Sequence, residues 1–252
     1  MRNPFPPLPA PFSRRDDHIA AQLDGATVLF TTRLGGVSSG PYGSLNLGLW
    51  TDDEPARVLE NRARVAALAG VPRERFAQGR QVHGPTVRRL REPPPEGDPQ
   101  PADGQATSML GVAPIVLTAD CLPVALVARG AVAMVHCGWR GLAGGIVSEG
   151  VRATRELSGG GDVFAAIGPG AGRCCYEVGE EVHAAFTRHE AAAREGRNVD
   201  LKAIARRELE EAGVRQVHDV GLCTICGPEE LFFSHRRDGG ITGRQAGAAW
   251  LS

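Results

Sequence analysis

Cys121 and His136 stand near the two ends of one apolar stretch, TADCLPVALVARGAVAMVHCGWRG, residues 118–141. Both are residue types that ligate metals or act as nucleophile and base. If Arg129-Gly130 forms a two-residue hairpin turn, Ala128 pairs with Ala131, Pro123 falls opposite His136, and Cys121 falls opposite Gly138. Cys121 and His136 then share one sheet face as diagonal neighbours, about 7–8 Å apart, close enough to hold a common ion. Pro123 donates no ladder hydrogen bond, so the pairing can break near Cys121. A third donor is His83, in QVHG. Two imidazoles and one thiolate make a three-ligand zinc site of the catalytic type, with a fourth position free for water or substrate. The spacing also suits two core histidines that hydrogen-bond internally and a cysteine packed as a small hydrophobe.

Other patterns carry less chemistry. GPGAG (168–172) follows a strand but lacks dinucleotide spacing and a following Lys, and reads as a turn. Glu180 and His183 sit i, i+3 on a helix without a second such pair, the pattern of a solvated face. CTIC (223–226) has no second Cys pair at metal spacing and reads as two unpaired thiols. SHRRDG (234–239) reads as surface charge unless something draws its arginines inward.

The elements that must position these residues follow from periodicity. ATVLFTTR (26–33) is a strand leading into a Gly- and Ser-rich loop. DDEPARVLENRARVAALAG is a helix with Pro55 in its first turn and Gly70 as its stop. FAQGRQVHGPTVRRL alternates as a strand with Gln81 and His83 on one face. Residues 111–141 give three β-rich segments, LAGGIVSEGVRATREL a helix, and DVFAAIG a further strand. YEVGEEVHAAFTRHEAAAREG and NVDLKAIARRELEEAG are helical, VRQVHDVG is a late strand, and the arginine-loaded segment from Leu222 to Gly247 is loop-rich. The mixture predicts an α/β (α+β) fold: a Pro-rich segment over 1–25 and one catalytic domain over 26–252.

The chain has 28 basic and 29 acidic residues, a formal charge of −1, so no global field draws it to nucleic acid or anionic membrane. Recognition of phosphate must be local. Lys202 is the single lysine, a bias that fits a GC-rich genome as well as bidentate phosphate binding by Arg. No stretch approaches the about 18 apolar residues of a membrane helix, and the proline-broken start has no signal core. A cytoplasmic monomer is expected. Cys121, Cys137, Cys174, Cys175, Cys223 and Cys226 are too few for a disulfide scaffold of this size and are expected as thiols.

TTRLGGVSSGPYGSLNLG, QVHG, ADGQAT, LTADCLPVAL, VHCGWRG, IGPGAGRCCYEVG and CTICGPEELFFSHRRDGGITGR, in that order, resemble the laccase-domain family. Its members are also labelled polyphenol oxidase, multifunctional purine nucleoside phosphorylase or peptidoglycan-editing factor. The resemblance implies mixed sheets packed together and flanked by helices, like a toxin-deamidase Cys-His fold. It implies that His83, Cys121 and His136 form the metal and catalytic cluster. Cys137 departs from the small residue usual at its position; as a neighbour on a strand it points away from His136.

The implied activity is zinc-dependent phosphorolysis of purine nucleosides such as adenosine, inosine, guanosine and methylthioadenosine, with adenosine deamination as a companion reaction. For that chemistry Arg33 is the first choice to hold phosphate, followed by Arg140 and Arg236. Asn46 and Gln81 would bind ribose or base edges, and Asp120 or Asp103 would protonate the leaving purine. Three rival readings remain. Copper could occupy the same ligands, although a multicopper oxidase array calls for paired His-x-His stretches absent among the seven histidines here. Cys121 and His136 could work without metal as a hydrolase or amidase on a cell-wall precursor or another amide. A non-enzymatic purine-binding protein would bind without turnover.

Overall fold

The computed structural model describes residues 5–95, 97–189 and 193–252. Among the described residues, fourteen strands and five α-helices make a single mixed α/β domain in which two six-stranded sheets pack face to face. The second sheet is built around the hairpin of β8 (Leu122–Ala128) and β9 (Ala131–Cys137). Gly130, at φ 82, closes it, and the register pairs Ala128 with Ala131 and Pro123 with His136, as the two-residue turn predicts. Leu122, Val124, Leu126, Val135 and Cys137 face outward to α3 (Ile146–Ser158) and α5 (Leu201–Glu211). Ala125, Val127, Val132 and Met134 face the other sheet. Burial on both faces explains the unbroken apolar runs, and it sends His136 and Cys137 to opposite sides.

Around this hairpin the second sheet runs β13 (Gln216–Asp219), β10 (Phe164–Ile167), β8, β9, β6 (Gly104–Thr107) and β5 (Val87–Leu90). The first sheet runs β1 (Ser13–Arg15), β2 (His18–Leu23), β3 (Ala26–Phe30), β14 (Gln245–Leu251), β7 (Ala113–Thr118) and β4 (Phe76–Gln78). α1 (Pro55–Ala69) lies outside the first sheet, starting at Pro55 and stopping where Gly70 turns left-handed at φ 69.

The structure departs from the sequence reading in several places. The Pro-rich start reaches only to Phe12; β1 and β2 then join the first sheet, with β2 antiparallel to β3, so residue 26 is no boundary in the packing. FAQGRQVHGPTVRRL is not one strand: β4 and β5 belong to different sheets, and Gln81 and His83 lie in the segment that crosses between them. The helix after Trp139 is split, because Gly145 at φ 86 separates α2 (Trp139–Ala143) from α3. The helix expected over 176–196 shrinks to α4 (Glu180–Ala185) and a 3₁₀ turn at Thr187–His189, before the two-stranded ribbon of β11 (Arg194–Glu195) and β12 (Asn198–Val199); residues 190–192 lie outside the described residues. No helix among the described residues is long and apolar enough to cross a membrane.

Candidate active site

Asp103, fully buried just before β6, organises the site. Its Oδ1 accepts the backbone N–H groups of Val82 and Gly84, each at 2.9 Å. Its Oδ2 accepts that of His83 at 2.9 Å and meets His136 Nδ1 at 2.8 Å. These bonds hold His83 in a left-handed conformation, φ 61, that a non-glycine residue rarely adopts unaided. Burial works against the Asp103 charge, but the His136 ring and the N–H groups of Gly84 and Val82 outweigh it and hold the carboxyl below its ordinary range. Asp103 thus lies fully buried beneath His136 and is not among the described residues that line the cleft. With Nδ1 engaged by Asp103, His136 is left with Nε2 for a ligand, the arrangement by which a second residue fixes a metal-binding imidazole.

Cys121 follows Asp120, whose φ of 93 turns the chain at the rim between β7 and β8. The ligand atoms of His83, Cys121 and His136 all lie within 4.8 Å of one another. The two rings meet edge to face with centroids 4.9 Å apart. Gly138 leaves the space for this convergence: a Cβ there would stand 3.0 Å from Cys121 Sγ and 3.1 Å from His83 Cδ2. Burial alone would keep the thiol protonated, yet the positive charge of His136 and hydrogen bonds from both rings bring the Cys121 pKa down to about 6. Burial likewise opposes protonation of His136, but Cys121 and Asp103 raise its pKa to about 9. The donor set, two imidazoles and a readily ionised thiol, fits zinc.

These three residues sit in a cleft of about 560 Å³. Arg80, Arg140, Arg236 and Arg244 line it, and Asp120 is the one carboxylate among the described lining residues. Trp50, Trp139 and Tyr176 supply aromatic surface. The Arg140 guanidinium lies 4.3 Å from the Trp139 ring and that of Arg236 lies 5.2 Å from the Tyr176 ring. Arg244 is anchored by backbone oxygens of Thr242 and Gly243, and burial lowers its pKa. Asp120 accepts the Thr224 hydroxyl at one oxygen and the Arg236 backbone N–H at the other, both at 2.7 Å. Both of its oxygens are thus engaged in bracing the cleft wall.

Other residues singled out in the sequence are placed differently. Arg33 does not line the cleft: it stacks over Phe233 and donates to Gly43 O and Glu229 O. Asn46 is fully buried, bridging Thr51, Asp53, Gly48 and Arg244 as a loop brace. Gln81 lines the cleft, but its amide donates to Leu117 O and accepts Leu117 N–H, both at 2.8 Å, joining the His83 segment to β7. Cys137 is fully buried on the opposite face, away from the ligand set.

Glu180 pairs with Arg194 and His183 with Arg197 O, as befits a surface helix. In SHRRDG, Arg236 is drawn to the cleft, and Arg237 turns inward to Thr224 O and Phe232 O. CTIC is not a pair of isolated thiols, because Cys174 and Cys175 stand beside it. Arg80, Trp139, Tyr176, His235 and Arg244 were missed by spacing; all but Arg80 lie in recognisable motifs (GWRG, CCYEVG, SHRRDGGITGR), which is the signal that could have found them.

Residues 27–252 match the family model described as multi-copper polyphenol oxidoreductase laccase. The chain is 37% identical over 248 residues to purine nucleoside phosphorylase YlmD of Geobacillus stearothermophilus, covering 89% of this chain and 90% of that protein. It is 38% identical over 242 residues to purine nucleoside phosphorylase YfiH of Escherichia coli, covering 91% and 96%. The crystal structure of G. stearothermophilus YlmD superposes with a TM-score of 0.89 at 34% identity, covering 96% of this chain and 99% of that one. With the family model spanning both sheets and the cleft, the chain belongs to the family described as multi-copper polyphenol oxidoreductase laccase.

Proposed function

We propose that this protein is a cytoplasmic, zinc-dependent purine nucleoside phosphorylase that also deaminates adenosine, with His83, Cys121 and His136 as its metal ligands. The observation that carries this reading is the meeting of two imidazoles and one thiol in a cleft lined by four arginines and three aromatic rings. The relatives named purine nucleoside phosphorylase support the same activity. The arginines suit an incoming phosphate, which they can grip through paired N–H groups. Trp139, Tyr176 and Trp50 suit the faces of a purine. Asp103 keeps His136 in the tautomer that presents Nε2, and His235, exposed at the cleft, is placed to hydrogen-bond the leaving purine. Zinc held by His83, Cys121 and His136 would supply Lewis acidity to the cleft.

The lowered Cys121 and raised His136 pKa values favour a second reading, a metal-free thiolate–imidazolium hydrolase. Copper would find the same donors acceptable, but the other described metal-capable group is all cysteine, which does not furnish the histidines of a multicopper array. Incubation with adenosine and phosphate tests the proposal. It predicts adenine, ribose 1-phosphate and inosine, with zinc lost and products absent in Cys121→Ser. Amide hydrolysis that persists after chelation, without nucleoside turnover, would establish the second reading instead.

A further inference from the structure

A second constellation lies outside the site just described. β10 and β13 are parallel neighbours, so the chain leaves both strands at the same rim of the sheet. The two exits run on side by side, with Gly170 bridged to Cys223, Gly170 N–H donating to Leu222 O, and Thr224 N–H donating to Gly170 O. This brings Cys174 and Cys175 of one loop against Cys223 and Cys226 of the other, and the four sulfurs all lie within 4.8 Å of one another. Cys174 Sγ is 3.2 Å from Cys226 Sγ and 3.4 Å from Cys175 Sγ. Neither separation is a disulfide bond, which would measure about 2.05 Å. Tetrahedral zinc with bonds of about 2.3 Å needs sulfurs about 3.8 Å apart, between the closest pairs here and the outer limit.

The loops are shaped for this approach. Cys223, Thr224, Ile225, Cys226 and Gly227 make a tight knuckle in which Gly227 N–H donates to Cys223 O at 3.0 Å. A Cβ on Gly227 would fall 2.2 Å from that oxygen, so only glycine closes the turn. Gly172 N–H donates to Cys223 Sγ at 3.2 Å, and a Cβ on Gly172 would meet both Cys174 Sγ and Cys223 Cβ at 3.2 Å.

We propose that Cys174, Cys175, Cys223 and Cys226 bind a structural zinc ion that staples together the two loops forming one wall of the cleft. The first loop carries Tyr176, and Glu177 O accepts from Arg236 Nη1. The second carries Thr224, whose hydroxyl braces Asp120 next to Cys121. Ala171 of the first loop also donates to Asp120 O at 2.7 Å. The ion thus acts on the cleft through its wall and takes no part in bond breaking. Because four closed ligands leave no vacant position, its role is stability and shape.

Metal analysis of protein purified with reductant tests this proposal. Wild type should carry two zinc equivalents per chain, the Cys174→Ser/Cys226→Ser double variant one, and His83→Ala one. The double variant should melt at lower temperature, and its KM for nucleoside should rise more than its kcat falls. Should the double variant not fold, cobalt-loaded His83→Ala must show the intense charge-transfer bands of four thiolates, and chelation of zinc-loaded His83→Ala must expose four further reactive thiols. A single zinc per wild-type chain that is absent from His83→Ala and present in the double variant overturns this proposal and leaves the catalytic site standing; a single zinc absent from the double variant and present in His83→Ala does the opposite. A disulfide among the four cysteines in reduced preparations also overturns it.

Discussion

Asp103→Asn changes one buried atom and should disable two properties at once. The asparagine oxygen can keep the N–H groups of Val82 and Gly84, but its NH2 group would face the His83 N–H and the His136 Nδ1–H, setting donor against donor. Each hydrogen bond to a charged acceptor contributes about 1.5–3 kcal/mol, so two lost bonds cost about 3–6 kcal/mol. For a chain of this size about 2–4 °C of Tm follows each kcal/mol, placing the expected fall at about 6–24 °C.

His136 can limit that cost by moving its proton to Nε2, but the ring then turns an N–H toward the site where a ligand must offer a lone pair. Zinc affinity at His83, Cys121 and His136 should therefore fall about 10–100-fold. The folded Asp103 carboxyl titrates below its usual value near 4, so its contribution is complete above that pH and is lost as the pH falls toward the depressed value. The Tm difference between wild type and Asp103→Asn should accordingly be constant between about pH 6 and 5, narrow below about 4, and narrow again as the pH rises toward 9, where His136 loses its proton. Calorimetry across that range and zinc competition with a chromophoric chelator are the assays. A variant with unchanged Tm and unchanged zinc affinity would refute the role given to Asp103.

Gly138→Ala should fold, yet lose at least about tenfold in zinc affinity, because its Cβ meets Cys121 Sγ at 3.0 Å and His83 at 3.1 Å; chelator competition measures it. Arg140→Ala removes an exposed cleft cation and should raise the KM for phosphate by about tenfold or more, the loss of one charge-assisted contact; initial rates at varied phosphate decide. His235→Ala should lower kcat by about a hundredfold if this ring assists purine departure, with a smaller deficit for substrates whose leaving base needs no proton.

The hairpin that carries Cys121 and His136 was legible because a two-residue turn at Arg129-Gly130 fixes every pair above it. His83 was identified as a residue but misplaced as a strand: its position depends on Asp103, twenty residues away, which pins three successive N–H groups. β14 was invisible because QAGAAWL has weak strand propensity; what makes it a strand is its place between β3 and β7. The same limit hid the cysteine quartet, since Cys174 and Cys175 reach Cys223 and Cys226 only through the parallel pairing of β10 with β13. Arg33 and Asn46 looked like ligand-binding residues in a Gly-rich loop, and the structure uses them to hold that loop in shape. Spacing reads contacts within a hairpin well, and loses those made where distant segments leave one sheet edge together.

The central claim, that His83, Cys121 and His136 jointly hold the ion on which nucleoside phosphorolysis depends, is tested most directly by ribose 1-phosphate release from adenosine before and after metal removal. The account predicts that chelation abolishes release, and that zinc restores it in wild type and not in Cys121→Ser. Undiminished release from metal-stripped protein would contradict it.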